Sequence, residues 1–350
     1  MKILAVGDSF VPVRLFETGL ASLTADHQLR FLHLDMDAPF IPTSPSERAI
    51  REYAGNPQQL VDALDGAEVL LVHGAPITDT VLNASSHLRI VGIARGGPVN
   101  VDLAAAGDRG ISVITAPARN ADAVADLTLA FMVMLARNMA NSIKFVADGG
   151  RVGDSAFEGA QFFGHELGGH VLGLVGYGNV GMRVARRAAA FGMSIRVYDP
   201  YVDAEQLEDP AVRITHLNEL LAQADFVSLH ARVTQETINF FNAQKFDVMK
   251  PGAFFINTAR ESLVDEDALY QALISQRLGG AALDVLKPWP AGIANPLASL
   301  PNVIITPHIG GATYEAALRG VEILAEQIKC YAVGQPMRYI VHQHKTGSSK

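Results

Sequence analysis

The sequence predicts an α/β protein built from two doubly wound parallel sheets. Three observations lead there. Apolar runs of strand length alternate with helical patterns almost from end to end. Those runs fall into two series, separated by one long apolar stretch with helical spacing. The 350 residues, 49% hydrophobic and only 18% charged, are comfortable for two cores and too apolar for a disordered chain.

In the first series stand KILAVGD (2–8), LRFLHLD (29–35), EVLLVHG (68–74), LRIVGIA (88–94) and SVITA (112–116). Near-continuous apolar runs of this kind are the mark of parallel strands covered on both faces. NADAVADLTLAFMVMLARNMANSIKFVAD (120–148) follows, apolar at helical spacing, and is expected to form one unbroken helix joining two domains. The second series is VLGLVG (171–176), SIRVYD (194–199), DFVSLH (225–230), GAFFINT (252–258), GGAALDV (279–285) and NVIITP (302–307). The amphipathic stretch EAALRGVEILAEQIKCYAVG (315–334) either caps the second sheet or returns to the first. The final HQHKTGSSK is polar and expected to fray.

Composition narrows the chemistry. A formal net charge of −8 and the lack of any Lys/Arg-rich run disfavour nucleic acid. Cys330 is the only cysteine, so the sequence offers no disulfide framework and no thiolate metal site. The opening MKILAVGDS is too short an apolar run for a secretory or membrane segment, and a cytoplasmic protein without membrane contact is expected.

The strongest local signal lies in GHVLGLVGYGNVGMRVARRAAAFGMSIRVYDP (169–200). Gly176, Gly178 and Gly181 form G-x-G-x-x-G between a strand and an Ala-rich helix. The first glycine permits a tight turn, the second lets backbone approach a pyrophosphate, and the third lets helix and strand pack closely. The amides of Asn179 and Val180 would face the phosphates at the helix N-terminus. Asp199 ends the next strand 18 residues after Gly181, where a carboxylate accepts from both adenine-ribose hydroxyls of NAD and repels the extra phosphate of NADP. Arg186 and Arg187 stand too far into the helix to reverse that preference.

Three strand ends of the second series carry polar residues, in INTARESLVDEDAL (256–269), ALDV and ITPHIGGAT (305–313). Arg260 follows a buried strand and can grip a carboxylate and a neighbouring oxygen at once. His308 follows another strand and precedes glycines, so it is expected to be accessible. Asp284 suits a structural or cofactor-orienting task better than proton transfer.

With these residues in view, the chain resembles the D-isomer-specific 2-hydroxyacid dehydrogenases, the family of phosphoglycerate, glycerate, D-lactate and formate dehydrogenases. APARNADAVADLTLA (116–130), LGLVGYGNVG (172–181), NTARESLVDEDAL, ALDV and NVIITPHIGGAT (302–313) appear in the family's order. The resemblance implies a flavodoxin-like substrate domain from residues 1–116 and 309–340, with a Rossmann NAD-binding domain inserted at 117–308. It also implies a homodimer formed through the cofactor domain. Arg260 would bind the substrate carboxylate and reacting oxygen, and His308 would exchange a proton with the 2-keto oxygen. Amides of Gly96 and Gly97 would hold the carboxylate, with Asn100 beside them. Thr128 would lie near the cofactor and Asp284 by the nicotinamide amide, and His230 and Ala259 complete the cofactor contacts. No metal is needed for this chemistry.

The pattern also breaks. Five residues beyond Asp284 the family carries a glutamate that pairs with the catalytic histidine, but this chain has Trp289 between Pro288 and Pro290. An indole N–H only donates, so it cannot favour imidazolium as a carboxylate does, and reduction is expected to decline at lower pH than in glutamate-bearing relatives. Glu261 replaces a usual glycine but points away from such a role, because adjacent side chains on a turn diverge. Arg95 replaces another glycine, Arg232 follows LHA where proline is common, and His73 ends a first-series strand. Together they predict a substrate with a polar, sugar-derived or phosphorylated tail. Two alternatives stay open: a non-catalytic NAD(H) sensor of the same fold and, more weakly, a formate dehydrogenase.

Overall fold

A computed structural model describes residues 1–35, 37, 40–151, 156–203, 212–290 and 293–341. The first series becomes β1 (Lys2–Gly7), β2 (Gln28–His33), β3 (Val69–Val72), β4 (Ile90–Ile93) and β5 (Ser112–Thr115). The second becomes β6 (Val171–Val175), β7 (Ser194–Tyr198), β8 (Val212–Ile214), β9 (Phe226–Leu229), β10 (Phe254–Asn257), β11 (Gly280–Leu283) and β12 (Val303–Ile305). A two-residue β13 (Ile340–Val341) closes the described chain. The sequence reading missed β8 and β13 because neither is long enough to show a period.

Two compact units result, one from Met1–Asn120 with the segment from Ala312 onward, the other from Ala121–Gly311. In the first, the strand order is β2-β1-β3-β4-β5, all parallel, with β13 added antiparallel to β5. That is the flavodoxin-like order. Period-two alternation sorts the side chains of β1: Leu4 and Val6 enter one core, Ile3 and Ala5 the opposite one. The helix Tyr314–Ala332 lays Ala317, Val321, Leu324 and Ile328 on the second of these cores. It therefore returns to the first sheet rather than capping the second.

The second unit orders its strands β12-β11-β10-β9-β6-β7-β8, all parallel, the doubly wound dinucleotide-binding arrangement with one strand more. The stretch expected to be one helix is two, Ala121–Ala136 and Met139–Ala147, bent by 72°. Asn138 at the break has φ 51, a left-handed conformation that asparagine tolerates. The Ala136 carbonyl, freed from the helix, accepts instead from the His165 amide at 2.7 Å. No single helix among the described residues is long and apolar enough to cross a membrane. The stretch expected to fray, 342–350, lies outside the described residues.

Candidate active site

β6 runs into Gly176 at φ +101, where a Cβ would come 2.6 Å from the carbonyl carbon of His230. Only glycine lets the loop cross the end of β9 there. Gly178 is the N-cap of the helix Asn179–Ala190, and nothing lies within 4 Å of where its Cβ would stand. Gly181 sits so close beneath that a Cβ would fall 2.3 Å from the Gly176 oxygen. Asn179 and Val180 open the helix, where the first N–H groups lack intrahelical partners and attract phosphate.

Just past β7, Asp199 accepts from the amides of Tyr177 at 2.7 Å and Tyr201 at 2.9 Å. These bonds fix its carboxylate beside the glycine loop and leave acceptor capacity for ribose hydroxyls. Arg183 and Arg187 are held by Asp122, and Arg187 also by Asp126. Their charge is thereby neutralised at the helix flank. At the end of β9 burial pushes the His230 imidazole down to about 3, so it is uncharged. Its Nε2 lies 3.0 Å from Ser228 Oγ. The open cradle over Gly178, the free helix N-terminus and the fixed Asp199 carboxylate fit a dinucleotide.

At the carboxyl end of β10 the exposed Arg260 stands on a turn built by Asn257. The Asn257 side chain accepts from the Ala259 amide at 3.0 Å and donates to the Arg260 carbonyl at 2.9 Å. Arg260 in turn donates to the Ala259 carbonyl at 2.7 Å. Thr128, expected at the cofactor, is fully buried, its hydroxyl bonded to the Val124 carbonyl and 3.1 Å from the Thr258 hydroxyl. It braces this turn from behind instead of reaching outward.

His308, past β12, is exposed and held at φ 57. A non-glycine residue there stores about 1–3 kcal/mol of strain, which the surroundings must impose. Asp284 imposes it. One carboxylate oxygen accepts from Thr306 Oγ1 at 2.6 Å and from the Ile309 amide at 2.8 Å, the other from the Gly310 amide at 2.8 Å. Asp284 is buried and clamps the histidine turn from both sides.

Beyond β11 the chain runs without regular structure through Pro288, Trp289 and Pro290, anchored where the Lys287 amide donates to Glu266 at 2.7 Å. Trp289 is 43% exposed and makes no hydrogen bond among the described residues. Arg232 is exposed as well. No ion pair joins Glu261 to His308 among the described residues, so Glu261 does not replace the missing carboxylate.

In the first unit, the loop after β4 offers Gly96 and Gly97. Neither amide donates a hydrogen bond among the described residues, and nothing occupies the space over either glycine. That suits a carboxylate. The other expected substrate contacts there need correction. Asn100 is fully buried and spends its amide nitrogen on the carbonyls of Ala75 at 2.7 Å and His73 at 3.3 Å, so it shapes the loop. Arg95 is not a free cation, because Glu52 binds it through both carboxylate and carbonyl. His73 is buried with both ring nitrogens engaged, one by Asp8 at 3.0 Å and one by Arg119 at 3.4 Å.

Residues 129–310 match the family described as D-isomer specific 2-hydroxyacid dehydrogenase, NAD binding domain. The chain belongs to the D-isomer-specific 2-hydroxyacid dehydrogenase family. It is 37% identical over 300 residues to D-3-phosphoglycerate dehydrogenase of Methanocaldococcus jannaschii, covering 84% of this chain and 56% of that one. To hydroxypyruvate reductase of Thermotoga maritima it is 35% identical over 300 residues, covering 85% of this chain and 95% of that one. In fold it is similar to D-2-hydroxyisocaproate dehydrogenase, with a TM-score of 0.80 and 24% identity over 97% of this chain and 99% of that one. The chain spans about half the length of the phosphoglycerate dehydrogenases it matches.

Sequence reading missed Asn257, Glu52, Asp8 and Arg119. Asn257 and Arg119 lie inside the family's motifs and Asp8 directly follows the first strand, so a search for polar residues at every strand end would have found those three. Glu52 carried no such signal, since it meets Arg95 from 43 residues away.

Proposed function

We propose that the protein is an NAD-dependent oxidoreductase that interconverts a 2-hydroxy acid and its 2-keto acid. The observation that supports this most is the pair of exposed side chains, Arg260 and His308, at the carboxyl ends of β10 and β12. Each stands on a turn that a buried neighbour, Asn257 or Asp284, holds in place. The nicotinamide, when bound, supplies or accepts the hydride. Arg260 binds the carboxylate and steadies the reacting oxygen through its planar fork. His308 gives a proton to the keto oxygen in reduction and takes it back in oxidation. Asp284 transfers no proton, because it is buried and engaged by three donors of the turn it clamps. In the first unit, the amides of Gly96 and Gly97 are open to a carboxylate. Gly176, Gly178, Asn179, Val180, Gly181 and Asp199 hold the dinucleotide, with His230 and Ala259 along its path.

The test is NADH oxidation across glyoxylate, pyruvate, hydroxypyruvate and phosphohydroxypyruvate, with His308→Ala alongside. Wild-type turnover should fall by about 10²–10⁴-fold in the variant while NADH binding persists. Saturable NADH binding with no turnover of any keto acid would instead favour a sensor.

The second unit also has an exposed apolar patch that supports the expected homodimer. Met139, Ile143 and Val146 on one short helix, and Phe163 nearby, are exposed apolar residues beside a cavity of about 300 Å³. A patch of this kind favours burial against a second copy. Light scattering should give a dimer, and Ile143→Asp should give a monomer.

A further inference from the structure

In a sheet ordered 2-1-3-4-5, ligands favour the crevice beyond the carboxyl ends of the two strands where the order reverses, here β1 and β3. The residues leaving those ends are Asp8 and His73. Asp8 accepts from the amides of Phe10 and Val11 at 2.8 Å each and from the Gly74 amide at 2.9 Å. Its carboxylate also lies 3.0 Å from His73 Nδ1. A guanidinium can only donate, so the contact from Arg119 makes His73 Nε2 the acceptor and places the ring proton on Nδ1, toward Asp8. Phe10 stacks over the ring, with centroids 5.6 Å apart. His73 thus has no polar atom left for a substrate.

Arg119 does. It is only 7% exposed, yet among the described residues no carboxylate pairs with it, and Asp8 reaches it only through the imidazole. One guanidinium nitrogen donates to the Ala316 carbonyl at 3.2 Å and another to His73, which leaves three of five N–H groups without an acceptor among the described residues. Room for the side chain comes from Gly320, where a Cβ would fall 2.8 Å from Arg119 Cδ. Burial above all, then nearby Arg95, pulls Arg119 down to about 10 against the opposing pull of Asp8. A buried guanidinium held in one orientation, with no carboxylate in direct contact, is stabilised by an incoming anion.

We propose that Arg119 is a specificity-determining residue that binds a second anionic group on the substrate tail, a phosphate monoester or a second carboxylate. This rests on the dehydrogenase reading. The first carboxylate has its own donors in the amides of Gly96 and Gly97. His73 and Asp8 are positioning residues, acting through Arg119.

The experiment compares kcat/KM for two pairs of keto acids, phosphohydroxypyruvate against hydroxypyruvate and oxaloacetate against pyruvate, in wild type, Arg119→Met and Arg119→Lys. Arg119→Met should lower kcat/KM about 100-fold for one anionic-tailed member and less than about threefold for its neutral partner. Arg119→Lys, which keeps charge but not the fork, should fall between and shows that loss of folding is not the cause. The pair that responds tells phosphate from carboxylate. Equal losses on charged and neutral partners, or no loss, overturn the proposal. Thermal shift with inorganic phosphate or malonate gives a second reading without turnover. Stabilisation by one of them that vanishes in Arg119→Met supports the anion site, and an unchanged or absent shift overturns it. If the wild type reduces none of the keto acids, the dehydrogenase reading fails by itself, and the thermal shift alone decides the anion site.

Discussion

The two units solve the same problem in opposite ways. At the strand ends of the second unit, buried Asp284 and Asn257 bind backbone, and the side chains they position, His308 and Arg260, stand in the open. At the strand ends of the first, the charged groups themselves go under: Asp8, His73 and Arg119 form one buried chain. The first arrangement suits groups that must exchange protons and grip a reacting centre. The second suits recognition, since a charge that is already desolvated and oriented discriminates strongly between anionic and neutral partners.

Asp284→Ala tests the clamp most severely. It strips an acceptor from the Ile309 and Gly310 amides and from the Thr306 hydroxyl, which should cost about 3 kcal/mol or more in stability. Turnover should fall with it, toward the level of His308→Ala. A urea midpoint close to wild type would mean that the histidine turn holds itself, and the contrast between the units would collapse.

Asp8→Asn probes the buried chain and should have a milder effect at neutral pH, about 1–2 kcal/mol. Although burial raises the Asp8 carboxyl, the hydrogen bond from His73 and those from the amides of Val11 and Gly74 hold it below the ordinary 3.8. A group lowered on folding stabilises fully above its unfolded value, and that contribution fades as pH falls through the folded one. Urea midpoints taken downward from about pH 5 should therefore decline less steeply in Asp8→Asn than in wild type. Parallel declines would remove Asp8 from the acid response.

Trp289→Glu should change least. Stability should stay within about 0.5 kcal/mol, because the side chain is half exposed and bonds to nothing among the described residues. A carboxylate near His308 favours imidazolium, so the alkaline limb of keto-acid reduction should move up by about one pH unit. An unmoved limb would show that position 289 does not reach the histidine.

What could be read from the sequence follows the same division. Strand-length apolar runs disclosed both sheets because most of their strands are buried on both faces, and β8 and β13 escaped only by their brevity. The glycine loop, Arg260 and His308 were legible because each sits in a short local pattern. The tasks of Thr128 and Asn100 were misjudged for a physical reason: a motif names the residue but not the direction its side chain takes. Arg95 looked like a free cation because Glu52 lies far off in sequence. The Asp8–His73–Arg119 chain escaped entirely, since its members meet only once three separate strand ends lie side by side.

The returning helix Tyr314–Ala332 has a consequence for synthesis. Ala317, Val321, Leu324 and Ile328 complete the core that Ile3, Ala5 and Phe16 begin. The N-terminal unit is therefore born first but finished last. Residues 121–311 emerge whole in the meantime, over roughly 10–40 s at ordinary ribosomal speeds, and can fold on their own schedule. Throughout that interval the opening strands carry one apolar face that the returning helix has yet to finish covering.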